Sequence, residues 1–274
     1  MNNDIDDLGL FGPETMVWRL HSSKFALVGG IRALMVQALE PRAMAAVEEV
    51  GGYRKDPLGR LNRTISFVQS VSFGTRDDAD RAIRSIKSIH SRVKGIDPHS
   101  GRSYDASDPI QLAFVHNALV ESVATAHEIF DCRVNRSLLD QYVSEMRLLG
   151  LALGADQSEL PSDHRSLKRW IAEFSGLEGT DTARQAVGYL KHPVGEFPFS
   201  NLWRVAYVGA IYSLSEWQRE ALAIDLSLAD RLTIRARVGV LLTAAEILLP
   251  SAPPVIAARE RAHRAWRVQH GLSH

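Results

Sequence analysis

The sequence has a single cysteine among 274 residues, few aromatic residues and no long uninterrupted apolar run. One cysteine excludes an intrachain disulfide and a zinc site built from cysteines. The most apolar late segment, residues 238–249, is too short to span a bilayer and contains Glu246. The first residues, MNNDIDDLGLFG, are acidic and lack the basic and apolar regions of a secretory signal. These features predict a cytoplasmic protein.

Neither sign of charge is in excess, since Lys and Arg together number 32 and Asp and Glu together also number 32. A net charge of zero gives no overall attraction to nucleic acid or to an anionic membrane, so we expect neither as a partner. Walker-type phosphate loops, GxGxxG dinucleotide motifs and GxSxG nucleophile motifs are missing from the sequence. The corresponding enzyme classes are therefore not indicated.

Apolar residues recur at helical spacing along the chain and strand-like alternation is nearly missing, which predicts an all-α protein. The length suits one domain, and we expect residues 1–274 to form it, with a core at 12–250 and an arginine-rich surface helix at 255–269. We predict a polar loop at 95–107 and a break at 193–198. The predicted helices cover residues 14–20, 30–39, 43–50, 61–73, 77–93, 109–130, 137–153, 164–175, 181–189, 202–212, 216–228, 232–249 and 255–269.

A histidine interrupts the apolar face of the predicted helix at 77–93. Ile83, Ile86, His90 and Val93 share one stripe, so the imidazole of His90 is directed toward an apolar interior. An unpaired buried polar group costs on the order of 1–3 kcal/mol, so this imidazole needs a partner. Two interpretations stay open from the pattern: a core histidine bonded to a carbonyl, or a ligand to a metal or haem iron.

Two arginines and a threonine precede this histidine in the predicted helix start. Arg60, Arg63 and Thr64 lie three and four residues apart and therefore share a helix face. One interpretation is a solvated helix start with a capping threonine. The other is the rim of a buried site that binds carboxylates or oxygen-derived anions, because arginine stays charged and forms bidentate pairs.

Other candidate ligands lie in and after the predicted helix at 109–130. His116 and His127 fall on its apolar face, where interior hydrogen bonds are the simpler interpretation. A non-haem metal site with Glu121 or Glu128 is the alternative, although neither glutamate shares the stripe well. We predict that Cys132 is a buried, inert thiol and not a haem ligand, because no glycine-rich ligand loop surrounds it.

An ordered set of short motifs resembles the MpaB-type oxygenases, whose best-known relatives are the latex-clearing rubber oxygenases. The likeness runs from about residue 12 to residue 161. Its motifs are Arg32-Ala33-Leu34, DPLGRLNRT at 56–64, Phe73-Gly74-Thr75, HSRVKG at 90–95, YDASDP at 104–109 and FVHNAL at 114–119.

This resemblance implies an all-α fold with a globin-like helical core around haem b. It makes His90 the axial ligand of the iron and gives Arg60, Arg63 and Thr64 the role of distal, catalytic and cofactor-binding residues. Arg63 stands where the rubber oxygenases carry lysine, and Glu40 stands where many members have a histidine before proline.

From the resemblance we expect a haem-dependent oxygenase, or a peroxide-using oxidase, that acts with O2 or peroxide on a small apolar or aromatic molecule. Rubber cleavage is not expected, because the sequence lacks an export signal and large extra domains. Two other interpretations stay open: a non-catalytic haem sensor or carrier, and a cofactor-free helical interaction protein. The sequence leaves the substrate, the oxidant and a homo-oligomeric state undecided.

Overall fold

The structure is a computed structural model that describes residues 7–50, 56–192 and 198–270. Within these ranges helices dominate, and the prediction of an all-α protein is confirmed. The thirteen described helices are α1 (Met16–His21), α2 (Phe25–Gln37), α3 (Pro41–Glu49), α4 (Pro57–Phe73), α5 (Arg76–His90), α6 (Pro109–Phe130), α7 (Arg136–Leu153), α8 (His164–Glu173), α9 (Asp181–Leu190), α10 (Phe199–Ser213), α11 (Glu216–Ala221), α12 (Leu228–Leu248) and α13 (Pro253–Gln269).

Side-chain caps explain where several of these helices begin. Asp56 accepts a hydrogen bond from the Gly59 amide at the start of α4. Thr75 and Asp78 form a reciprocal capping box at the start of α5. Asp108 accepts from two amides at the start of α6, directly before a proline. Each cap satisfies amides that have no partner inside the helix, which fixes the first turn.

Two segments differ from the sequence prediction. Inside the predicted loop at 95–107, strands β1 (Lys94–Ile96) and β2 (Ser103–Asp105) pair in an antiparallel hairpin. Asp97 closes the hairpin by accepting from the amides of His99 and Ser100. The predicted helix at 216–228 is wrong as one element, because α11 ends at Ala221 and Ala223 adopts a left-handed φ of 54°. The continuous apolar pattern concealed this break.

Helices α2 and α6 form the centre of the core. A Cβ atom on Gly29 of α2 would lie only 2.6 Å from the Cα atom of Val123 in α6, so glycine permits this close approach. One apolar cluster joins α2 and α6 to α10 and α12, around Trp203. A second cluster joins α6 to α1, α4 and α7, around Tyr142. Because α6 belongs to both clusters, it connects the two halves of the helical body.

Helices α4 and α5 form an antiparallel pair joined by Gly74 and Thr75, and this pair positions the candidate site. The pairing brings the first turns of α4 next to the last turn of α5. Lys87 of α5 donates to the Ala152 carbonyl at 3.4 Å, which connects the pair to α7. The predicted helix within α4 is confirmed, but its predicted burial holds only for the last turn, which contains Val71.

Two predicted breaks lie outside the described residues: Gly51-Gly52, and residues 193–197 of the break at 193–198. Within the described ranges, no single helix is both long and apolar enough to cross a membrane. Helices α12 and α13, bent by 55° at their junction, meet that criterion only as a pair and only by length and composition.

Candidate functional site

His90 is the last residue of α5 and its side chain is half-buried. Among the described residues its imidazole has no hydrogen-bond partner. Burial, and secondarily the positive charge of Arg60, lower the pKa of His90. The ring is therefore neutral near pH 7 and keeps a nitrogen lone pair for a ligand. Within the described ranges the ring is not bonded to a core carbonyl, which leaves it open to a ligand.

Arg60 is the residue that the α4–α5 pair brings next to His90. Its backbone amide closes the first turn of α4 by bonding to the Asp56 carbonyl at 3.0 Å. Burial and the neighbouring charge of Arg63 lower the pKa of Arg60. A guanidinium stays protonated at neutral pH even so, which leaves a half-buried cation beside a neutral imidazole.

Arg63 and Thr64 have exposed side chains in this structure. Arg63 donates to Asp56 at 3.2 Å, and 67% of its side chain is exposed. The Thr64 hydroxyl donates to the Arg60 carbonyl within the same helix, at 3.1 Å. Of the three predicted distal residues, Arg60 is thus the one with an electrostatic link to His90.

Apolar side chains surround this pair, and many are incompletely covered. Ile83 is buried on α5, and Val93 is buried in the turn that follows His90. In contrast, Ile86 and Leu61 are half-buried, and Ile89 is 40% exposed. The α4–α5 pair therefore presents apolar surface next to the imidazole that the protein itself does not fully bury.

The chemistry of these residues fits haem b. A histidine-ligated haem needs a neutral imidazole nitrogen, apolar contacts for its macrocycle and cationic or polar groups near its carboxylates or bound anions. The neutral imidazole of His90 supplies the first, the half-buried side chains of Ile86 and Leu61 the second, and Arg60 the third. The neutral ring of His90, which no described residue bonds, is the observation on which this fit depends.

The other two histidines of the apolar stripes are satisfied inside the core, as predicted. His116 bonds to the backbone of Met146, while burial lowers the pKa of its ring to about 4. His127 is fully buried, with Nε2 3.2 Å from the Leu20 carbonyl and Nδ1 3.3 Å from the Asp131 carboxylate. Both nitrogens of His127 are therefore already engaged with oxygen atoms of the protein.

The alternative non-haem site has no ligand set in the described part of the chain, where no group of three metal-binding side chains occurs. Glu121 is paired with Arg32, and Glu128 with Lys168. The prediction of a buried Cys132 is wrong, since this thiol is exposed. Cys132 lies in the turn between α6 and α7, beyond the last residue of the apolar helix α6, and so it is not part of the buried face of that helix.

One polar network near the site was missed from the sequence. Glu40, only 1% exposed, accepts from the Ala43 amide at the start of α3 and from Arg42 at 2.9 Å. With its amide oriented to match its neighbours, Gln111 donates to Glu40 at 3.1 Å. Arg42 and Gln111 also line a cavity of about 570 Å³ beside Lys94. The available signal was Pro41, because proline is common at the first position of a helix and places Glu40 at the cap.

This network gives Glu40 a structural role at the position where many MpaB-type sequences have histidine. It caps α3 and holds Arg42 and Gln111 in place at the wall of the cavity. That cavity adjoins β1, which begins four residues after His90.

Comparison with known proteins agrees with the resemblance. No curated protein and no solved structure matches the chain. A profile of the family described as ER-bound oxygenase mpaB/B'/Rubber oxygenase, catalytic domain, matches residues 18–244. This segment covers most of the chain and includes Arg60 and His90. The chain therefore belongs to the family of mpaB and rubber oxygenase catalytic domains.

Proposed function

We propose that this oxygenase-family protein binds haem b through His90 and oxidises a small apolar or aromatic molecule with O2 or peroxide. The observation that carries the proposal is the neutral imidazole of His90, which no described residue bonds, beside the Arg60 cation. Membership of an oxygenase family supports the reaction class. With one cysteine and no disulfide, we further propose a reducing compartment, the cytoplasm.

His90 would hold the cofactor, since its ring is neutral and makes no competing hydrogen bond to any residue that the structure describes. When bound, haem supplies the redox chemistry with oxygen or peroxide, which no side chain of the site can supply alone. The half-buried residues Ile86 and Leu61 would cover the macrocycle and exclude water from its neighbourhood. Exclusion of water strengthens every electrostatic interaction within the site.

Arg60 would stabilise negative charge near the cofactor. Its guanidinium is half-buried, so its field is screened less than that of a surface arginine. A fixed positive charge in such a place favours anions that form during oxygen or peroxide chemistry, or the carboxylates of the haem. We assign Arg63 and Thr64 to the outer part of the same site, where Arg63 orients Asp56 at the start of α4.

An absorption spectrum and a turnover assay test the proposal. Protein expressed with added haem precursor should purify with a Soret band and about one haem per chain, as counted by pyridine haemochrome. Oxygen or peroxide consumption should then rise when small aromatic or terpene-like apolar compounds are supplied.

Each negative result points to one of the alternatives. A stoichiometric Soret band without turnover would indicate a haem sensor or carrier. Protein that stays colourless when haem is supplied would contradict the proposal and favour a cofactor-free interaction protein.

A further inference from the structure

The junction of α12 and α13 exposes large apolar side chains. Ile247 is 78% exposed, Leu248 77% and Ile256 42%, and all three lie at the 55° bend between the helices. We call these three residues the elbow. On the other side of α12, Val238 and Leu242 are buried, so the helix is firmly packed while the elbow projects from the body.

An arginine-lined cavity of about 490 Å³ adjoins the elbow. Arg19, Arg133 and Arg259 line it. Glu246, which directly precedes the elbow, and Arg259, which follows it by one turn of α13, both belong to the cavity wall. Arg259 also donates to Ser251 in the bend at 3.1 Å. Cavity and elbow are therefore parts of one surface.

Most of the negative charge in this cavity is already engaged by the protein. Glu246 accepts from the Ser23 hydroxyl at 2.6 Å and from the Lys24 amide. Asp131 accepts a bidentate pair from Arg133, at 2.7 and 3.0 Å. The Lys24 ammonium donates to the Pro250 carbonyl at 2.7 Å, which adds another cation at the elbow.

The cavity also contains a donor without an acceptor. The indole N–H of Trp18, a cavity residue only 6% exposed, has no hydrogen-bond partner among the described residues. Buried donors are normally paired, and the three arginines that line the cavity with Trp18 outnumber its two acidic residues. An anionic oxygen satisfies both the indole and the arginines.

The charge of this region differs from that of the whole chain. Residues 246–269, from the elbow to the end of α13, contain four arginines, no lysine and two acidic residues, within a chain whose net charge is zero. The expectation that the protein does not bind anionic membranes depends on the net charge of the whole chain. That net charge does not show how the charges are distributed along the chain. Exposed apolar side chains beside clustered cations are typical of proteins that bind the surface of an anionic bilayer.

We propose that this surface docks on an anionic lipid membrane. The elbow enters the acyl region, and the arginine-lined cavity receives the phosphate of a lipid headgroup next to Trp18. Headgroup phosphate supplies the missing acceptor, while lipid chains cover the exposed isoleucines and leucine. This surface is separate from His90 and its cofactor, so docking holds the enzyme where apolar substrates concentrate without taking part in the oxidation.

Sedimentation with lipid vesicles tests the proposal on the full-length protein. Vesicles of phosphatidylcholine with added phosphatidylserine should bind the protein about tenfold or more tightly than phosphatidylcholine alone, and added salt should weaken the binding. Leu248→Glu should abolish most of the binding. The matched control is Leu232→Glu, because Leu232 is 76% exposed at the other end of the same helix and should tolerate the change.

A second pair of variants tests the cavity. Arg19→Gln with Arg259→Gln should reduce the preference for phosphatidylserine severalfold, whereas Arg231→Gln, outside the cavity, should not. Circular dichroism verifies that each variant is folded.

Four results would overturn the proposal. The protein could bind both vesicle types equally well, or bind neither. Leu232→Glu and Leu248→Glu could weaken vesicle binding to the same extent. Inorganic phosphate could raise the unfolding temperature of a protein that does not bind vesicles. A concentration-dependent dimer that Leu248→Glu dissociates, in protein that ignores vesicles, would instead assign the elbow to a second copy of the chain.

Discussion

Arg60, in the first turns of α4, lies close enough to His90, at the end of α5, for its charge to lower the pKa of the imidazole. Burial is the larger cause of that lowered pKa, and both effects favour the neutral ring. The antiparallel pairing of α4 and α5 creates this relationship between residues that are distant in sequence. A neutral nitrogen base beside a permanent cation is the chemical core of the candidate site.

Replacement of Arg60 by Gln should weaken azide binding to the haem-loaded protein by about tenfold, because a charge-assisted interaction with the anion is lost. Arg63→Gln should change the affinity by less than about twofold, since Arg63 is exposed and pairs with Asp56. Spectrophotometric titration of both variants provides the comparison. If Arg63→Gln weakened azide binding more than Arg60→Gln did, the anion would be assigned to Arg63.

The buried pair of Arg32 and Glu121 should be cooperative. Arg32 also donates to Ser122 at 2.7 Å and to the Ser213 carbonyl at 3.2 Å, so α2 is connected to α6 and α10. Glu121→Gln should lower the free energy of unfolding by about 3–5 kcal/mol, because an unpaired charge stays buried. Urea denaturation should show that the double variant, Arg32→Met with Glu121→Met, loses less free energy of unfolding than the sum of the losses in the two single variants. Strict additivity would contradict the cooperative pair.

Two adjacent glycines of α2 should respond oppositely to alanine. At Gly29 a Cβ would meet the Val123 backbone at 2.6 Å, so Gly29→Ala should destabilise the protein by about 2–3 kcal/mol. At Gly30 no atom lies within 4 Å, so Gly30→Ala should stabilise it by about 0.5–1 kcal/mol through helix propensity. Thermal unfolding of both variants measures the difference, and similar effects at the two positions would refute the close contact of α2 with α6.

Stability should fall as the pH is lowered from about 7.5 to about 5. Burial lowers the pKa of His21 to about 3 and that of His116 to about 4, against an ordinary value of 6.5. Below pH 6.5 the unfolded chain therefore binds protons that the folded protein does not, which favours unfolding. At pH 5 the free energy of unfolding should be lower than at pH 7.5 by on the order of 2 kcal/mol for each histidine.

Urea denaturation at the two pH values checks this expectation. His116→Gln should reduce the pH-dependent loss by about half, because His21 continues to contribute through its buried position between Ser72 and Tyr142. Stability that is unchanged or greater at the lower pH would show that these histidines are accessible to protons.

Much of the fold could be predicted from the sequence because its signals are local. Asp108 followed by proline predicted the start of α6, and Gly154, with a φ of 102°, ended α7 as expected. The hairpin after His90 was missed, because the Asp97 side chain organises it and its strands are only three residues long. The break at Ala223 was also missed, since a left-handed alanine has no sequence signature.

The candidate site was only partly predictable. Helical periodicity identified His90 as the exception on an apolar face. It could not show that His116 and His127 are bonded in the core while no described residue bonds the ring of His90. The nearness of Arg60 to His90 is a tertiary relationship, and only the resemblance suggested it. Sequence spacing treated Arg60, Arg63 and Thr64 as equivalent, whereas the structure separates one half-buried arginine from two exposed residues.

Imidazole rescue of His90→Gly tests the central claim most directly. The purified variant should lack the Soret band of the wild-type protein, and adding imidazole with haem should restore it, because the free ligand fills the place of the lost ring. His99→Ala, which removes an exposed histidine bonded to Glu178, should keep the wild-type spectrum. An unaltered Soret band in His90→Gly would contradict the assignment of His90 as the ligand. The same conclusion would follow if His116→Ala lost the Soret band while His90→Gly still bound haem.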